Sequence, residues 1–384
     1  MKLKKFFAGV LAAAMMLTVG ATAAFAEGPA NGESDVAAKK SLTTTTDLGI
    51  TKVYEINKGN SPAVDFYFDA IYKSELSTPY GEDAGNDVKN IKVSFEATDK
   101  DVTGSLDLTI QKLGLAHPNG PGKYVFAIKE QVPTDGNKVA GVVYDENTRY
   151  LSITVANKEN GDGTYAKGEY VYQAQLYTQY NKGEDNSSYK ADAPRAFVNK
   201  YGKDGTSDLV HNLVIAKAVE GSFADLGQTF DFDITLSAAD NKANSYAGAN
   251  VVSAPEGAGV TANQVLEIGK KYTVHLKRNE MIELSNIPAG VKVTVEETNG
   301  TGYDVTLDNT AKNYNLIPGA KLTGTKVNEA VMPEDNASVG FRNVKNGTPD
   351  MGVVLDNAPY IAMLAIVAIG GVALMLNKRR RDEE

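Results

Sequence analysis

The residues with the clearest chemical potential are two sets of one lysine, one glutamate and one asparagine. In both halves of the chain the order is the same: a lysine, an F-x-F pair, a glutamate, and an F-x-N that ends in the asparagine. Strand alternation points these polar side chains towards the same face as their apolar neighbours. They are Lys52, Glu130 and Asn199 in the first half, and Lys217, Glu297 and Asn343 in the second.

A lysine, a glutamate and an asparagine that meet in a core can react with one another. Desolvation lowers the pKa of a lysine and raises that of a glutamate, so a neutral amine can coexist with a protonated carboxyl. The amine can attack the asparagine side-chain carbonyl while the glutamic acid bonds to the carbonyl oxygen and moves protons as ammonia leaves. The product is a Lys–Asn isopeptide crosslink. The alternative is an ordinary buried salt bridge or lysines that snorkel to the rim, but the repetition favours the crosslink.

The elements that must position these residues are β-strands. Ile50, Lys52 and Tyr54 alternate with polar residues, as do Val64, Phe66 and Phe68, and this period of two predicts strands. Further strands are predicted at 124–130, 151–155, 170–176, 213–219, 230–236, 272–276 and 291–297. Because no long amphipathic helix interrupts them, the pattern predicts an all-β protein made of antiparallel sandwiches.

The domain boundaries follow from changes in composition. A polar lead-in is expected at 27–46, and the Gly- and Asp-rich stretch 202–208 has the composition of a linker. The predicted domains therefore span 47–201 and 208–345, and 346–384 forms a tail.

The two ends of the chain predict export and anchoring. Residues 1–26 have the basic, apolar and A-x-A order of a secretory signal peptide. Residues 360–376 are almost wholly apolar and are followed by a basic cluster at 378–381, which predicts a transmembrane segment with a cytoplasmic tail. The body of the protein is therefore expected outside the cell.

Composition excludes several functions. The formal charge of −9 argues against nucleic acid as a partner, and the absence of cysteine removes disulfides and thiol chemistry. The three histidines have no metal-ligand spacing, and no nucleotide-binding or hydrolase motif is present. We expect no metal, no cofactor and no enzymatic activity beyond self-crosslinking.

At this point the residues resemble a known family, the streptococcal backbone pilins of the T-antigen type, built from pilin isopeptide linkage domains. The likeness extends from about residue 49 to 345 and rests on F-V-N-K-Y at 197–201, I-A-K at 215–217, F-D-F-D-I-T-L at 230–236 and I-P-A-G-V-K-V-T-V-E-E at 287–297. The resemblance implies tandem immunoglobulin-like sandwiches. In each, a first-strand lysine bonds to a last-strand asparagine beside a catalytic glutamate, here Glu130 or Glu297.

The resemblance also implies assembly by a sortase, which cleaves an L-P-x-T-G motif and joins the new C-terminus to a lysine of the next subunit. The corresponding residues are Thr348, Pro349, Asp350, Met351 and Gly352. Proline and glycine match the motif, whereas Thr348 replaces the leucine and Met351 the threonine, so the scissile bond would be Met351–Gly352. The acceptor would be Lys190, with Lys182 and Lys200 as nearby alternatives.

The expected function is that of a backbone subunit of a cell-surface pilus. Its partners would be a sortase, further copies of itself and accessory pilins, and its C-terminal segment would hold it in the membrane before sorting. The alternative is an anchored adhesin or accessory pilin that binds a host ligand with the same domains and does not polymerise.

Overall fold

A computed structural model describes residues 42–238, 246–308 and 310–347. Within these ranges the chain forms 24 β-strands and short 3-10 helices at Ser74–Leu76, Asp135–Asn137, Ser187–Tyr189 and Ala193–Arg195, and no α-helix. None of the helices in these ranges is long and apolar enough to cross a bilayer. The predicted signal peptide, the predicted transmembrane segment and the sorting residues 348–352 lie outside the described residues.

The first domain is a sandwich of two sheets. Its strands are β1 (Thr51–Ile56), β2 (Val64–Tyr72), β3 (Val88–Phe95), β4 (Val102–Ser105), β5 (Gly122–Glu130), β6 (Val142–Val143), β7 (Arg149–Glu159), β8 (Tyr165–Tyr177) and β9 (Phe197–Tyr201). One sheet has the order β4-β1-β9-β6 and the other β3-β2-β5-β7-β8. The first strand, β1, runs parallel to the last strand, β9, so the two ends of the domain meet at the centre of one sheet.

The inner faces of the two sheets carry the apolar residues that alternation predicts. On β2, Val64, Phe66 and Phe68 are buried while the intervening residues are exposed. The core also takes in Leu42, which is buried and whose N–H donates to the carbonyl of Tyr172. The predicted lead-in therefore meets the folded domain before its predicted end at residue 46.

The stretch of linker composition forms a β-hairpin of β10 (Lys203–Asp204) and β11 (Ser207–Asp208). Lys58 of the first domain pairs with Asp208 at 2.7 Å. Behind the hairpin, the buried Asn286 of the second domain accepts a hydrogen bond from the Tyr201 hydroxyl at 3.2 Å and donates to the Asn60 carbonyl at 2.9 Å. The junction between the domains is therefore braced by side chains of both domains.

The second domain repeats the sandwich. Its strands are β12 (Val210–Glu220), β13 (Phe230–Ser237), β14 (Ala249–Ser253), β15 (Val265–Leu266), β16 (Lys271–Leu276), β17 (Met281–Pro288), β18 (Lys292–Glu297), β19 (Asp304–Asp308), β20 (Thr310–Ala311), β21 (Tyr314–Leu316), β22 (Leu322–Thr323), β23 (Lys326–Val331) and β24 (Ala337–Val344). One sheet has the order β15-β14-β17-β12-β24-β21-β20, with β19 also paired to β24, and the other β16-β13-β18-β23-β22. Again the first strand, β12, runs parallel to the last, β24. The all-β, two-domain sandwich prediction is confirmed.

Candidate functional site

The parallel pairing of first and last strands sets each lysine beside its asparagine. Lys52 pairs with Phe197, and Lys217 pairs with Phe341, so in both domains the lysine lies opposite the phenylalanine of F-x-N. The asparagine follows two residues later and therefore points to the same inner face. The shared register gives the two domains the same Lys–Asn arrangement.

The glutamate comes from the opposite sheet, where it pairs with the second phenylalanine of F-x-F. Glu130 pairs with Phe68 on β2, and Glu297 pairs with Phe232 on β13. The rings of the F-x-F residues also flank the amine: Lys52 Nζ lies 5.0 Å from the ring centroid of Phe66 and 5.7 Å from that of Phe68. The motif therefore aligns the glutamate and keeps water from the lysine.

In the first domain the three predicted residues are in contact and almost inaccessible to water. Lys52 is 0 % exposed, Glu130 3 % and Asn199 0 %. Lys52 Nζ donates to Glu130 Oε2 at 2.6 Å, and Asn199 Nδ2 donates to Glu130 Oε1 at 2.7 Å. The carboxylate thus bridges the two nitrogens.

The second domain has the same bridge. Lys217 Nζ donates to Glu297 Oε2 at 2.6 Å, and Asn343 Nδ2 donates to Glu297 Oε1. The three residues are equally buried, and Lys217 Nζ lies 3.9 Å from the ring centroid of Phe230. The neighbouring Glu296 points outward to Lys326 at 3.5 Å, as alternation predicts.

Burial moves the protonation equilibria of Lys52, Lys217 and Glu130 towards their neutral forms. It lowers the pKa of Lys52 to about 8, against the opposing attraction of Glu130. It lowers the pKa of Lys217 to about 8 in the same way, against Glu297. Burial also raises the pKa of Glu130 above its ordinary value. An amine with a pKa near 8 is a nucleophile at neutral pH far more often than an exposed lysine is.

The contact of the glutamate differs from the sequence-based expectation. We expected its carboxyl to bond to the asparagine carbonyl oxygen, but in both domains it accepts from the amide nitrogen instead. In the first domain the oxygen, Asn199 Oδ1, accepts from the backbone N–H of Asp145 at 2.6 Å. The carboxylate is therefore placed to carry a proton between the attacking and the leaving nitrogen.

The sequence did not identify two residues of the sites, Asp145 and Gly300. Asp145 lies in the chain between β6 and β7, far from every motif, and nothing in its neighbours marks it. Gly300 follows β18 within a loop, and a Cβ there would lie 2.0 Å from Glu297 Oε1. Asn299 and Gly300 form an N-G dipeptide, which is a general turn signal. The dipeptide does not reveal that the second site leaves no room for a side chain at Gly300.

A third set of lysine, glutamate and asparagine makes the same contacts in a different environment. Glu283 accepts from Lys312 Nζ and, at 3.0 Å, from Asn212 Nδ2. The Lys312 side chain is 48 % exposed, and its hydrogen bond to Glu283 raises its pKa. Although burial raises the pKa of Glu283, its bonds to Lys312 and Asn212 outweigh burial and hold it below its ordinary value. This set is a charged ion pair, and it offers no neutral nucleophile.

The remaining predicted site residues lie on the surface or outside the described ranges. Lys190 and Lys182 are exposed, whereas Lys200 is half-buried on β9. Lys190 follows the 3-10 helix Ser187–Tyr189 and forms a backbone bridge with Tyr177. Across the described part of the chain, no three His, Asp or Glu side chains cluster as a metal site would require.

Comparisons with known proteins find similar sequences for both domains. Residues 36–202 match the family described as the Spy0128-like isopeptide containing domain. Residues 211–345 match a domain of unknown function, DUF7601. Along 390 aligned residues the chain is 26 % identical to a pilin of Streptococcus pyogenes serotype M1, with 95 % of this chain and 98 % of that protein covered.

Two further matches are more limited. A pilus tip adhesin of S. pyogenes, Cpa, is 26 % identical over 215 residues, which cover 56 % of this chain and 27 % of the adhesin. The crystal structure of a point mutant of the major pilin from S. pyogenes superimposes with a TM-score of 0.50 at 20 % identity, covering 78 % of this chain and 98 % of that one. The structural likeness concerns the fold.

The chain is therefore made of tandem all-β sandwich domains, each with a buried trio of lysine, glutamate and asparagine. The chain is a homologue of the S. pyogenes major pilin over almost its whole length, and its N-terminal sandwich is a Spy0128-like isopeptide-containing domain.

Substitution of Gly300 by alanine should disturb the second site specifically. The added Cβ displaces the Glu297 carboxylate from Asn343, and overpacking of this kind destabilises a core by about 1–3 kcal/mol. We expect a melting temperature several degrees lower in calorimetry. Gly227→Ala, in the same domain, is the matched control, because a Cβ there would meet only Asp225 Oδ1 at 3.5 Å, an ordinary van der Waals contact. Equal melting temperatures for the two variants would contradict this role of Gly300.

Proposed function

We propose that this protein is the structural backbone subunit of a sortase-assembled surface pilus and that each domain forms an autocatalytic Lys–Asn isopeptide bond. The observation that carries the proposal is the same buried Lys–Glu–Asn contact in both domains, made in the same strand register. Homology to the S. pyogenes pilin over 95 % of the chain supports the assignment to a pilus.

All bonds made and broken at each site lie within the three side chains. In the first domain the reaction starts from the neutral amine of Lys52 and the protonated acid of Glu130, whose proton is on Oε1. Lys52 Nζ attacks Asn199 Cγ as Glu130 Oε2 takes a proton from the amine. Glu130 Oε1 delivers a proton to Nδ2, the Cγ–Nδ2 bond breaks, and ammonia leaves. The Nζ–Cγ amide remains, and Glu130 is regenerated. Lys217, Glu297 and Asn343 perform the same steps in the second domain.

The bonds would make the domains inextensible where a pilus carries load. A crosslink between β12 and β24 passes tension directly from the first strand of the second domain to the last, so the sandwich between them need not unfold. If Lys190 is the acceptor, tension enters the subunit just before β9 and continues through the hairpin to β12. The bond of the first domain then holds β9 in its sheet beside β1.

Assembly would join Met351, after cleavage of the Met351–Gly352 bond, to Lys190 of the next subunit. Lys190 is exposed and borders the N-terminal domain near its last strand, whereas the half-buried Lys200 offers a sortase less access. The signal peptide and the transmembrane segment would bring the chain to the cell surface and hold it there until sorting.

The second candidate function is that of an anchored adhesin or accessory pilin. It is favoured by one observation, the match of 56 % of this chain to a pilus tip adhesin. Such a protein would contain the same crosslinked domains and would not form a polymer of itself.

Intact-mass spectrometry of the purified protein should show a deficit of two ammonia molecules relative to the sequence. Glu130→Ala and Glu297→Ala should each restore one ammonia, because each removes the proton carrier of one site. In the tryptic digest, linked peptides should join Lys52 to Asn199 and Lys217 to Asn343. An undiminished wild-type mass would refute the crosslinks.

The third trio supplies an internal control for that measurement. Lys312 and Asn212 contact Glu283 as the other trios do, but the lysine is exposed and charged. We expect their tryptic peptides to remain unlinked. A linked pair there would show that contact alone is sufficient and that burial does not select the reactive sites.

The rate of crosslinking should increase with pH and level off above about 8. The lysines of the two sites have pKa values of about 8, so their neutral fraction increases from about 1 % at pH 6 to about half at pH 8. Newly translated chain transferred to buffers of different pH, with linked peptides quantified over time, gives this profile. A rate that keeps increasing towards pH 10 would indicate lysines with ordinary pKa values.

Polymerisation distinguishes the shaft subunit from the adhesin. When the chain is expressed with its sortase, a wall extract boiled in detergent should give a ladder of high-mass bands. Lys190→Arg should abolish the ladder, because arginine cannot form the amide, while Lys182→Arg leaves it intact. A single band for the wild type would favour the adhesin, and a ladder from Lys190→Arg would assign the acceptor elsewhere.

A further inference from the structure

The backbone N–H of Asp145 points at the side-chain oxygen of Asn199. Glu130 contacts the side-chain nitrogen of Asn199 but not this oxygen. The Asp145 backbone nitrogen lies 2.6 Å from Asn199 Oδ1, within the buried core. This oxygen becomes negatively charged when an amine adds to the asparagine carbonyl. A donor already aimed at such an oxygen, away from water, stabilises the transition state without having to reorganise.

The Asp145 side chain fixes the position of that N–H. Its carboxylate is 5 % exposed and accepts from the backbone N–H of Val198, at 3.0 Å, and from Asn147 at 2.8 and 3.0 Å. Val198 immediately precedes Asn199 on β9, so the carboxylate ties the donor to the strand that carries the reacting amide. Arg149 lies 3.8 Å from the same carboxylate and completes the anchorage.

We propose that the backbone N–H of Asp145 is the oxyanion donor of the first crosslinking site. This inference rests on the proposed isopeptide chemistry and divides the reaction between two groups. Glu130 contacts the two nitrogens, Lys52 Nζ and Asn199 Nδ2, and transfers the proton from the first to the second. The Asp145 N–H donates a hydrogen bond to Asn199 Oδ1. This oxygen takes the electron pair of the C=O bond when the Nζ–Cγ bond forms, and the pair returns to the C=O bond when ammonia leaves.

The second site differs from the first at the side-chain oxygen of the asparagine. The lysine–glutamate distance is 2.6 Å in both domains. Among the described residues, however, Asn343 Oδ1 is buried without a donor within hydrogen-bond distance. The first bond should therefore form faster than the second in the same molecule.

The charge of the Asp145 side chain opposes the reaction, whereas its backbone N–H favours it. The two contributions can therefore be measured separately. A nearby carboxylate favours the protonated amine, and Asp145 does raise the pKa of Lys52 in this way. Removal of the charge alone should thus slow the reaction far less than removal of the N–H does. Removal of the N–H alone should slow it.

The test follows both bonds in the full chain made by reconstituted translation. Aliquots are quenched in denaturing acid after translation is stopped, so earlier synthesis of the first domain does not enter the rates, and the linked peptides are quantified by mass spectrometry. In the wild type we expect the Lys52–Asn199 bond to form at least about tenfold faster than the Lys217–Asn343 bond. Equal rates, or a slower first bond, would overturn the proposal.

A backbone ester removes the donor and leaves the side chain. Suppressor tRNA charged with malic acid, the α-hydroxy analogue of aspartate, replaces the N–H of residue 145 with an oxygen. We expect the first bond to form about 100- to 1,000-fold more slowly, while the second is unchanged. The matched control is a backbone ester at residue 147, made with the α-hydroxy analogue of asparagine, which removes the backbone hydrogen bond to the Asp145 carboxylate but not the donor to Asn199.

Asp145→Asn keeps an acceptor for the Val198 N–H and removes the charge. Because it keeps the backbone donor, it should crosslink the first site far faster than the ester at residue 145 does. The proposal is overturned if the ester at residue 145 leaves the rate of the first bond unchanged or slows both bonds equally. It is also overturned if the ester at residue 147 slows the first bond as much as the ester at residue 145 does. Intact-mass loss of two ammonia molecules under long incubation tests the crosslinks themselves, so failure of the donor and failure of the proposed function give different results.

Discussion

The structure depends on a lysine amine held in the dry centre of each sandwich. A buried ammonium without a partner would cost several kcal/mol, so every neighbouring element contributes to tolerating it. The parallel pairing of β1 with β9, and of β12 with β24, places the asparagine amide beside the amine. The facing sheet supplies the glutamate and the two aromatic rings.

Environment, more than residue type, decides what such a trio can do. Lys312 contacts Glu283 as Lys52 contacts Glu130, yet the pKa of Lys312 is raised and that of Lys52 lowered. The difference is the water that reaches Lys312. Coulomb attraction in a solvated pair favours the charged forms, whereas desolvation in the core outweighs the same attraction. The chain therefore contains two buried trios in which the lysine pKa is lowered and one solvated trio in which it is raised.

Covalent closure between first and last strands would suit a protein without cysteine. In the chain-entropy model, a crosslink that closes a loop of about 100 residues stabilises the folded state by roughly 5 kcal/mol. In each domain the lysine and the asparagine enclose nearly the whole sandwich, so a bond there would constrain the unfolded chain more than a local one. An amide is also inert to the thiols that reduce disulfides, and the constraint would not depend on redox conditions.

Much of the fold followed from the sequence, because strand alternation is local. The F-x-F pairs, the inward lysines and the outward Glu296 could all be assigned from a period of two, and the repeated order of landmarks separated two domains. Tertiary structure decided what depends on residues distant in the chain. The Asp145 N–H reaches Asn199 through a loop between β6 and β7, and Gly300 leaves room for a carboxylate that its sequence neighbours do not reveal. The side of the asparagine amide that faces the glutamate was likewise set by packing, since both orientations satisfy the same sequence.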